Sequence, residues 1–228
     1  METTSIRRVY VWELPVRFYH WLNALAVLAL VVTGYIIGKP VAIVNAAEAS
    51  YSYWFGTVRF IHFLAAFLFF FNFVFRLYWG FVGNTFARWH NFLPFRRAQI
   101  REAVDVLKVD ILQSATKPID SIGHNPVAGF TYFLTFLAFL FQCVTGFGMY
   151  AAMSHALLPQ ALAWIVPLMG GDFAVRQWHH MMMWSFIIFS IIHVYLVFYH
   201  DYVEGRGVLS SMAGGWKFVE KAFHTKAK

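Results

Sequence analysis

The sequence predicts an all-α fold, an integral membrane bundle of four transmembrane helices, and three observations predict it. Of the 228 residues, 60% are hydrophobic and only 13% are charged, whereas soluble domains carry about 25% charged residues. Four apolar stretches are long enough to cross a hydrocarbon core, which needs about 20 residues. The alternation typical of a β-barrel is missing from them, and helices satisfy their own backbone hydrogen bonds in lipid.

The predicted spans cover about residues 17–38, 58–80, 126–150 and 178–200. None of them contains Asp or Glu. The third span begins at Asn125-Pro126, and proline is favoured in the first turn of a helix. No linker, low-complexity tract or strong repeat interrupts the chain. Residues 1–228 are therefore expected to form a single membrane domain.

The connection between the second and third spans carries apolar residues at helical spacing, namely Ile100, Val104, Leu107 and Ile111. This spacing predicts an amphipathic segment at about residues 96–115 on the cytoplasmic membrane surface. A contact with a soluble partner is the alternative interpretation. The tail after residue 201 is basic, and we expect it to be partly mobile.

The net charge of +7 is distributed unevenly. Basic residues cluster before the first span, between the second and third, and after the fourth, for example Arg8, Arg97 and Lys217. The positive-inside rule then places both termini in the cytoplasm, and we expect a multi-pass protein of the bacterial inner membrane. These charges favour contact with the lipid bilayer, and nucleic acid is not expected as a partner.

The chain has one cysteine, Cys143, which excludes an intrachain disulfide and a cysteine-ligated iron–sulfur cluster. Histidines, in contrast, recur within the spans. His179 and His193 are fourteen residues apart in the fourth span, so on a helix they lie about 40° apart around the axis and about 21 Å apart along it. His180 is about 140° from His193. The geometry therefore favours His179 over His180 in any paired function.

The predicted topology places two other histidines at the same depths in the membrane as His179 and His193. His20 opens the first span near the cytoplasmic surface, and His62 opens the second near the periplasmic surface. The predicted pairs are His62 with His179 on the periplasmic side and His20 with His193 on the cytoplasmic side. Two imidazoles are the axial ligands of a low-spin haem between helices. The sequence therefore predicts two haem b groups, with the four histidines as iron ligands.

Other interpretations remain open at this point. A single histidine in a span is often a packed core residue or a hydrogen-bonding group between helices. A histidine-lined metal transporter is a chemical alternative, but it should carry Asp or Glu in its spans. A purely structural membrane anchor belongs to a third class. Met181, Met182 and Met183 point in three directions on a helix, so packing explains them better than a copper path.

Four stretches of the sequence resemble the b-type cytochrome subunit of membrane-bound nickel–iron hydrogenases. They are "VRFYHWLNALAVLALVVTGYIIG", "RFIHFLAAFLFFFNFVFRLYW", "GHNPVAG" and "WHHMMMWSFIIFSIIHVY". The resemblance implies haem ligation by His20, His62, His179 and His193. It also implies that the chain anchors a periplasmic hydrogenase, which consists of an iron–sulfur small subunit and a large subunit. The chain would accept electrons from the small subunit and pass them to a membrane quinone. The chain is not expected to be catalytic alone.

The family is similar to the gamma subunits of formate dehydrogenases, which share the four-helix core. A subunit of that kind, or a stand-alone cytochrome of the b561 kind, is the alternative assignment. By analogy with those subunits, a quinone is expected beside the start of the third span, where His124 and Asn125 could bind it. An N-cap is the competing role for Asn125. His200 is a candidate proton donor on the same side.

Overall fold

The computed structural model describes residues 6–40, 53–89, 92, 100–101, 103–104, 108, 122–123 and 125–220. These described residues are mostly helical, at 77%. Long helices dominate the described residues, and their bounds are α1 (Leu14–Gly38), α2 (Trp54–Val82), α3 (Pro126–Tyr150) and α6 (Asp172–Glu204). Short helices complete the helical elements, namely α4 (Leu157–Leu162), α5 (Ile165–Leu168) and α7 (Val208–Gly214).

Four helices in the described part of the chain are long and apolar enough to cross a membrane. Each contains one of the four predicted spans. Many of their large apolar side chains face outwards, such as Leu25, Phe71 and Ile191, which are 66%, 62% and 65% exposed. Apolar surface of this extent is costly in water but favourable against lipid. The structure thus fits a multi-pass membrane protein with helical spans.

Local signals explain where these helices begin and end. Pro126 is the first residue of α3, and the side-chain oxygen of Asn125 accepts a hydrogen bond of 2.7 Å from the backbone N–H of Ala128. Asn125 therefore caps this helix. In the first turn of α6, Asp172 forms an ion pair of 2.6 Å with Arg176, one helical turn further on.

The ends of the described chain form a small antiparallel sheet. Strand β1 (Ile6–Tyr10) pairs with β2 (Trp216–Glu220), with Ile6 opposite Glu220 and Tyr10 opposite Trp216. The tail after residue 201, which we expected to be partly mobile, contains α7 and β2 as far as residue 220. The predicted amphipathic segment at 96–115 lies mostly outside the described residues, although residues 100, 101, 103 and 104 are helical.

The chain divides into two compact units, and the four long helices contribute to both. The terminal unit comprises residues 1–19, 75–136 and 192–228, and the central unit comprises residues 20–74 and 137–191. The terminal unit has a core of Val11, Trp12, Val16 and Ala87. The central unit packs aromatic rings, with Phe139 stacked on Phe186 at 5.2 Å between ring centroids.

Candidate haem-binding site

A large cavity lies within the central unit. Its volume is about 970 Å³, and α1, α2, α3 and α6 all contribute to its wall. Most of the lining is apolar or aromatic, for example Val31, Phe67, Phe147 and Met183. His62 from α2 and His179 from α6 both line it. The structure thus brings one of the predicted histidine pairs to a single cavity.

His62 is held against α1 by two adjacent residues. Its Nδ1 lies 2.8 Å from the hydroxyl oxygen of Thr33. That hydroxyl also lies 2.5 Å from the backbone carbonyl oxygen of Ala29, one turn earlier in α1. A Cβ atom on the next residue, Gly34, would lie 3.3 Å from Cε1 of the imidazole. The ring therefore approaches α1 at a point where only glycine leaves it full clearance.

His179 is held against α3 in the same way. Its Nδ1 lies 2.8 Å from the hydroxyl oxygen of Thr145, which is fully buried. The Thr145 hydroxyl lies 2.7 Å from the carbonyl oxygen of Phe141. A Cβ atom on Gly146 would lie 3.2 Å from Cε1 of the ring. In addition, the side-chain amide of Gln142 donates to the backbone carbonyl of His179 at 3.2 Å.

The cavity wall also contains basic and polar residues. Arg59, Arg176 and His180 line it, and the guanidinium of Arg59 contacts the sulfur of Met153 at 2.9 Å. His180 packs so closely on α1 that a Cβ atom on Gly38 would lie 2.7 Å from its Cε1. Because His180 lies at a large helical angle from His193, the sequence favoured His179 over His180 as the paired histidine. It did not show that both neighbouring histidines reach the same cavity.

The second predicted pair is divided between the two units. His20 belongs to the central unit, where its ring meets Trp21 edge-on at 5.1 Å. His193 belongs to the terminal unit, where its Nδ1 lies 3.4 Å from the hydroxyl oxygen of Tyr132 on α3. Each histidine is described within its own unit, and their pairing stays a prediction.

The candidate quinone residues have different outcomes. His124 lies outside the described residues. Asn125 uses its side-chain oxygen as the N-cap of α3, the competing role considered for it. His200 is partly buried on α6, and its ring meets that of Tyr199 edge-on at 5.4 Å. A quinone role for these residues stays a prediction.

Sequence reasoning missed the threonines beside the histidines. Thr33 and Thr145 lie in the tetrapeptides Val32-Thr-Gly-Tyr35 and Val144-Thr-Gly-Phe147 of two different spans. This short repeat is the signal that could have found them. Among the described residues, no group of three or more His, Cys, Asp or Glu side chains could hold a metal ion by itself.

Comparison with known proteins assigns the family. Residues 11–215 match the family described as prokaryotic cytochrome b561. This match includes all four long helices and the whole of the cavity wall. A b-type cytochrome binds haem b, which agrees with the two histidines in an apolar cavity.

Curated relatives are similar over nearly their whole length. A protein of Cupriavidus necator named "Probable Ni/Fe-hydrogenase B-type cytochrome subunit" is 39% identical over 217 residues, covering 93% of this chain and 88% of the relative. A protein of Azotobacter vinelandii with the same name is 37% identical, with coverages of 93% and 89%. "Probable Ni/Fe-hydrogenase 1 B-type cytochrome subunit" of Escherichia coli K12 is 35% identical, with coverages of 91% and 90%. These findings confirm the resemblance seen in the sequence, and the chain belongs to the prokaryotic cytochrome b561 family.

Proposed function

We propose that this chain is the di-haem b cytochrome subunit of a membrane-bound nickel–iron hydrogenase. It anchors the hydrogenase at the periplasmic face of the inner membrane and carries electrons from the iron–sulfur small subunit to the membrane quinone. The observation that carries the proposal is the presence of His62 and His179 in one apolar cavity, each engaged through Nδ1. A pair of imidazoles engaged in this way is suited to hold a haem iron.

The cavity of the central unit has the properties that a haem requires. Its volume of about 970 Å³ is at the upper end of the range for small-molecule sites, roughly 300–1,000 Å³. Its aromatic and aliphatic lining suits the macrocycle, and Arg59 offers a guanidinium to a propionate. Haem b with two imidazole ligands supplies one-electron transfer without an open coordination site for substrate. The chain itself binds, orients and shields that group.

The second haem of the proposal uses His20 and His193. Depth matching from the sequence supports this pair, because both histidines are expected near the cytoplasmic surface. The contact between Tyr132 and Nδ1 of His193 supports a defined orientation for that ring. Two haems at different depths would connect the periplasmic partner with a quinone near the cytoplasmic side.

The proposed partner is the small subunit of a nickel–iron hydrogenase, together with its large subunit. Support comes from the relatives, whose names describe them as Ni/Fe-hydrogenase B-type cytochrome subunits. The names favour a hydrogenase over a formate dehydrogenase as the partner. The distribution of basic residues supports the orientation, with both termini in the cytoplasm.

The proposed quinone site lies beside the N-terminus of α3 and includes His124, Asn125 and His200. The side-chain oxygen of Asn125 is engaged in helix capping. A hydrogen bond to a quinone carbonyl would therefore come from its amide nitrogen. The chain has no proposed catalysis beyond quinone reduction within the complex.

The first test is haem stoichiometry in the detergent-purified chain, measured by the pyridine haemochrome method. We expect about two haems per chain in the wild type and about one in each of the four variants His20→Ala, His62→Ala, His179→Ala and His193→Ala. His155→Ala is the matched control, because His155 is exposed between α3 and α4. Two haems in His62→Ala and in His179→Ala would overturn the assignment of the cavity.

A further inference from the structure

A repeated pair of residues accompanies the two histidines of the cavity. Thr33-Gly34 on α1 faces His62, and Thr145-Gly146 on α3 faces His179. In both pairs the threonine oxygen lies 2.8 Å from Nδ1. In both, the glycine leaves space for Cε1 of the same ring, at 3.3 and 3.2 Å from an added Cβ atom. Two separate helices therefore present the same arrangement to two separate histidines.

The direction of these hydrogen bonds follows from the single hydrogen on each hydroxyl. Thr33 lies 2.5 Å from the carbonyl oxygen of Ala29, and Thr145 lies 2.7 Å from that of Phe141. A carbonyl oxygen can only accept, so each threonine donates its hydrogen to its own helix. The oxygen lone pairs are left to accept from the imidazole. Nδ1 therefore carries the proton of each ring, and Nε2 carries the free lone pair.

We propose that Thr33 and Thr145 are positioning residues that set the tautomer, rotation and basicity of the haem ligands. The proposal rests on the function proposed above, in which His62 and His179 hold a haem through Nε2. A hydrogen bond from the distal ring nitrogen of a metal-bound imidazole fixes its orientation and makes it a stronger electron donor. The hydroxyls thereby favour the oxidised iron and lower the potential of this haem relative to a pair without them.

The burial of the two hydroxyls strengthens this assignment. Thr145 is fully buried and Thr33 is 6% exposed, so water does not replace either hydroxyl as the partner of Nδ1. The glycines add a steric limit, because Cε1 of each ring lies close to the helix at the glycine that follows the threonine. Rotation of the imidazole away from the threonine would lose the bond, and an unpaired Nδ1–H in an apolar cavity is costly.

The experiment replaces each threonine by valine, which keeps the shape but removes the hydroxyl. Thr33→Val and Thr145→Val are made separately, and each has a serine counterpart that restores the oxygen. Thr135→Val is the control, because Thr135 lies on α3 and donates to the carbonyl of Thr131 at 2.9 Å. In the described part of the chain it makes no hydrogen bond to a histidine. Haem content and the midpoint potentials of both haems are measured on purified chain by optical redox titration.

We expect each valine variant to raise the midpoint potential of one haem and leave the other unchanged. We expect the affinity for this haem to fall roughly 10-fold, which is the lower end of the effect of removing a hydrogen-bond partner of a ligating histidine. Serine should restore both values, and Thr135→Val should leave both unchanged. Since the two threonines act on opposite ligands of one haem, the same haem should respond in both variants.

Two outcomes separate this inference from the function on which it rests. If His62→Ala and His179→Ala lose a haem while both valine variants keep wild-type potentials, the threonine proposal is overturned and the haem site stands. If the histidine variants keep two haems, the proposed function itself fails. If one valine variant does not fold, the valine variant of the other threonine still tests the proposal, because both threonines act on the same haem.

Discussion

Next to the cavity of the central unit, two threonine hydroxyls contact histidine rings, whereas Trp12, Glu13 and Arg76 of the terminal unit bond to backbone groups and to other side chains. In the central unit, Thr33 and Thr145 engage Nδ1 of His62 and His179. Nε2 of these two rings makes no hydrogen bond within the described part of the chain. This arrangement leaves a pair of nitrogen lone pairs for a ligand, and it is typical of a binding site.

Several side chains of the terminal unit form hydrogen bonds within that unit. The carboxylate of Glu13 accepts from the indole N–H of Trp79 at 3.0 Å and from the backbone N–H of Asn84 at 2.9 Å. The indole N–H of Trp12 donates to the hydroxyl of Ser211 at 3.1 Å. These bonds join segments that are far apart in the sequence. The difference predicts that changes to the threonine and glycine residues beside the cavity alter haem binding, while changes to these hydrogen bonds of the terminal unit alter stability.

The buried Arg76 is a charged residue of the terminal unit whose contacts also lie within that unit. It is 3% exposed on α2 and donates to the carbonyl of Ala87 at 3.0 Å. Its guanidinium lies 5.1 to 6.0 Å from aromatic ring centroids of Tyr19, Trp89, Phe92 and Phe136. Cation–π attraction of this kind strengthens where water is excluded. The cation is thus held by protein groups within its own unit.

The largest effect is expected from Gly146→Val in the central unit. A Cβ atom there would already lie 3.2 Å from Cε1 of His179, and the valine methyl groups extend further. Overpacking of this kind costs about 1–3 kcal/mol, and the ring would relieve it by turning away from the cavity. We expect loss of about one of the two proposed haems, measured by pyridine haemochrome, with the helical circular dichroism unchanged.

Gly56→Val is the matched control for that change. A Cβ atom on Gly56 would meet nothing within 4 Å, and this glycine also lies within a long helix. Haem content should stay at the wild-type value. Equal haem loss in both glycine variants would mean that glycine matters for the helices rather than for the clearance of the histidine.

A moderate effect is expected from Glu13→Ala in the terminal unit. The change leaves the indole N–H of Trp79 and the backbone N–H of Asn84 without their acceptor. Both are partly buried, so we expect a destabilisation of about 2 kcal/mol. Thermal unfolding in detergent should shift downwards by several degrees, while the haem spectrum of the folded protein stays unchanged. Glu13→Gln keeps an oxygen acceptor and should cost less; an equal loss would show that the charge, not the acceptor, matters.

The sequence predicts the spans and the meeting of His62 with His179 in one cavity for a physical reason. Apolar runs and an occasional imidazole are local features, and helical geometry converts their spacing into faces and depths. The spans at 17–38 and 58–80 lie within α1 and α2, and His62 and His179 reach the same cavity. Neither conclusion requires knowledge of how one helix packs on another.

The features that were missed depend on contacts between distant segments. A threonine in a membrane helix usually bonds to its own backbone, so the third span taken by itself does not show that Thr145 also meets His179. Strands β1 and β2 are five residues each and lie at opposite ends of the chain. Arg76 is a single cation in an apolar span, and the rings that surround it come from several segments. Pattern within one element does not contain this information.

The smallest effect is expected from Trp12→Phe in the core of the terminal unit. The indole is 4% exposed, and its N–H donates to the hydroxyl of Ser211, which itself donates to the carbonyl of Val208 at 2.6 Å. Phenylalanine removes one donor but leaves the Ser211 hydroxyl its own acceptor, so we expect a loss of about 1 kcal/mol. Thermal unfolding of a double variant, Trp12→Phe with Ser211→Ala, measures the coupling between the two side chains. If the double variant is no less stable than Ser211→Ala alone, the hydrogen bond is supported as the source of the effect. In that background the bond is already absent, so replacing Trp12 breaks no further hydrogen bond. Strict additivity, or a change in haem potential, would contradict the assignment of this region to stability through that bond.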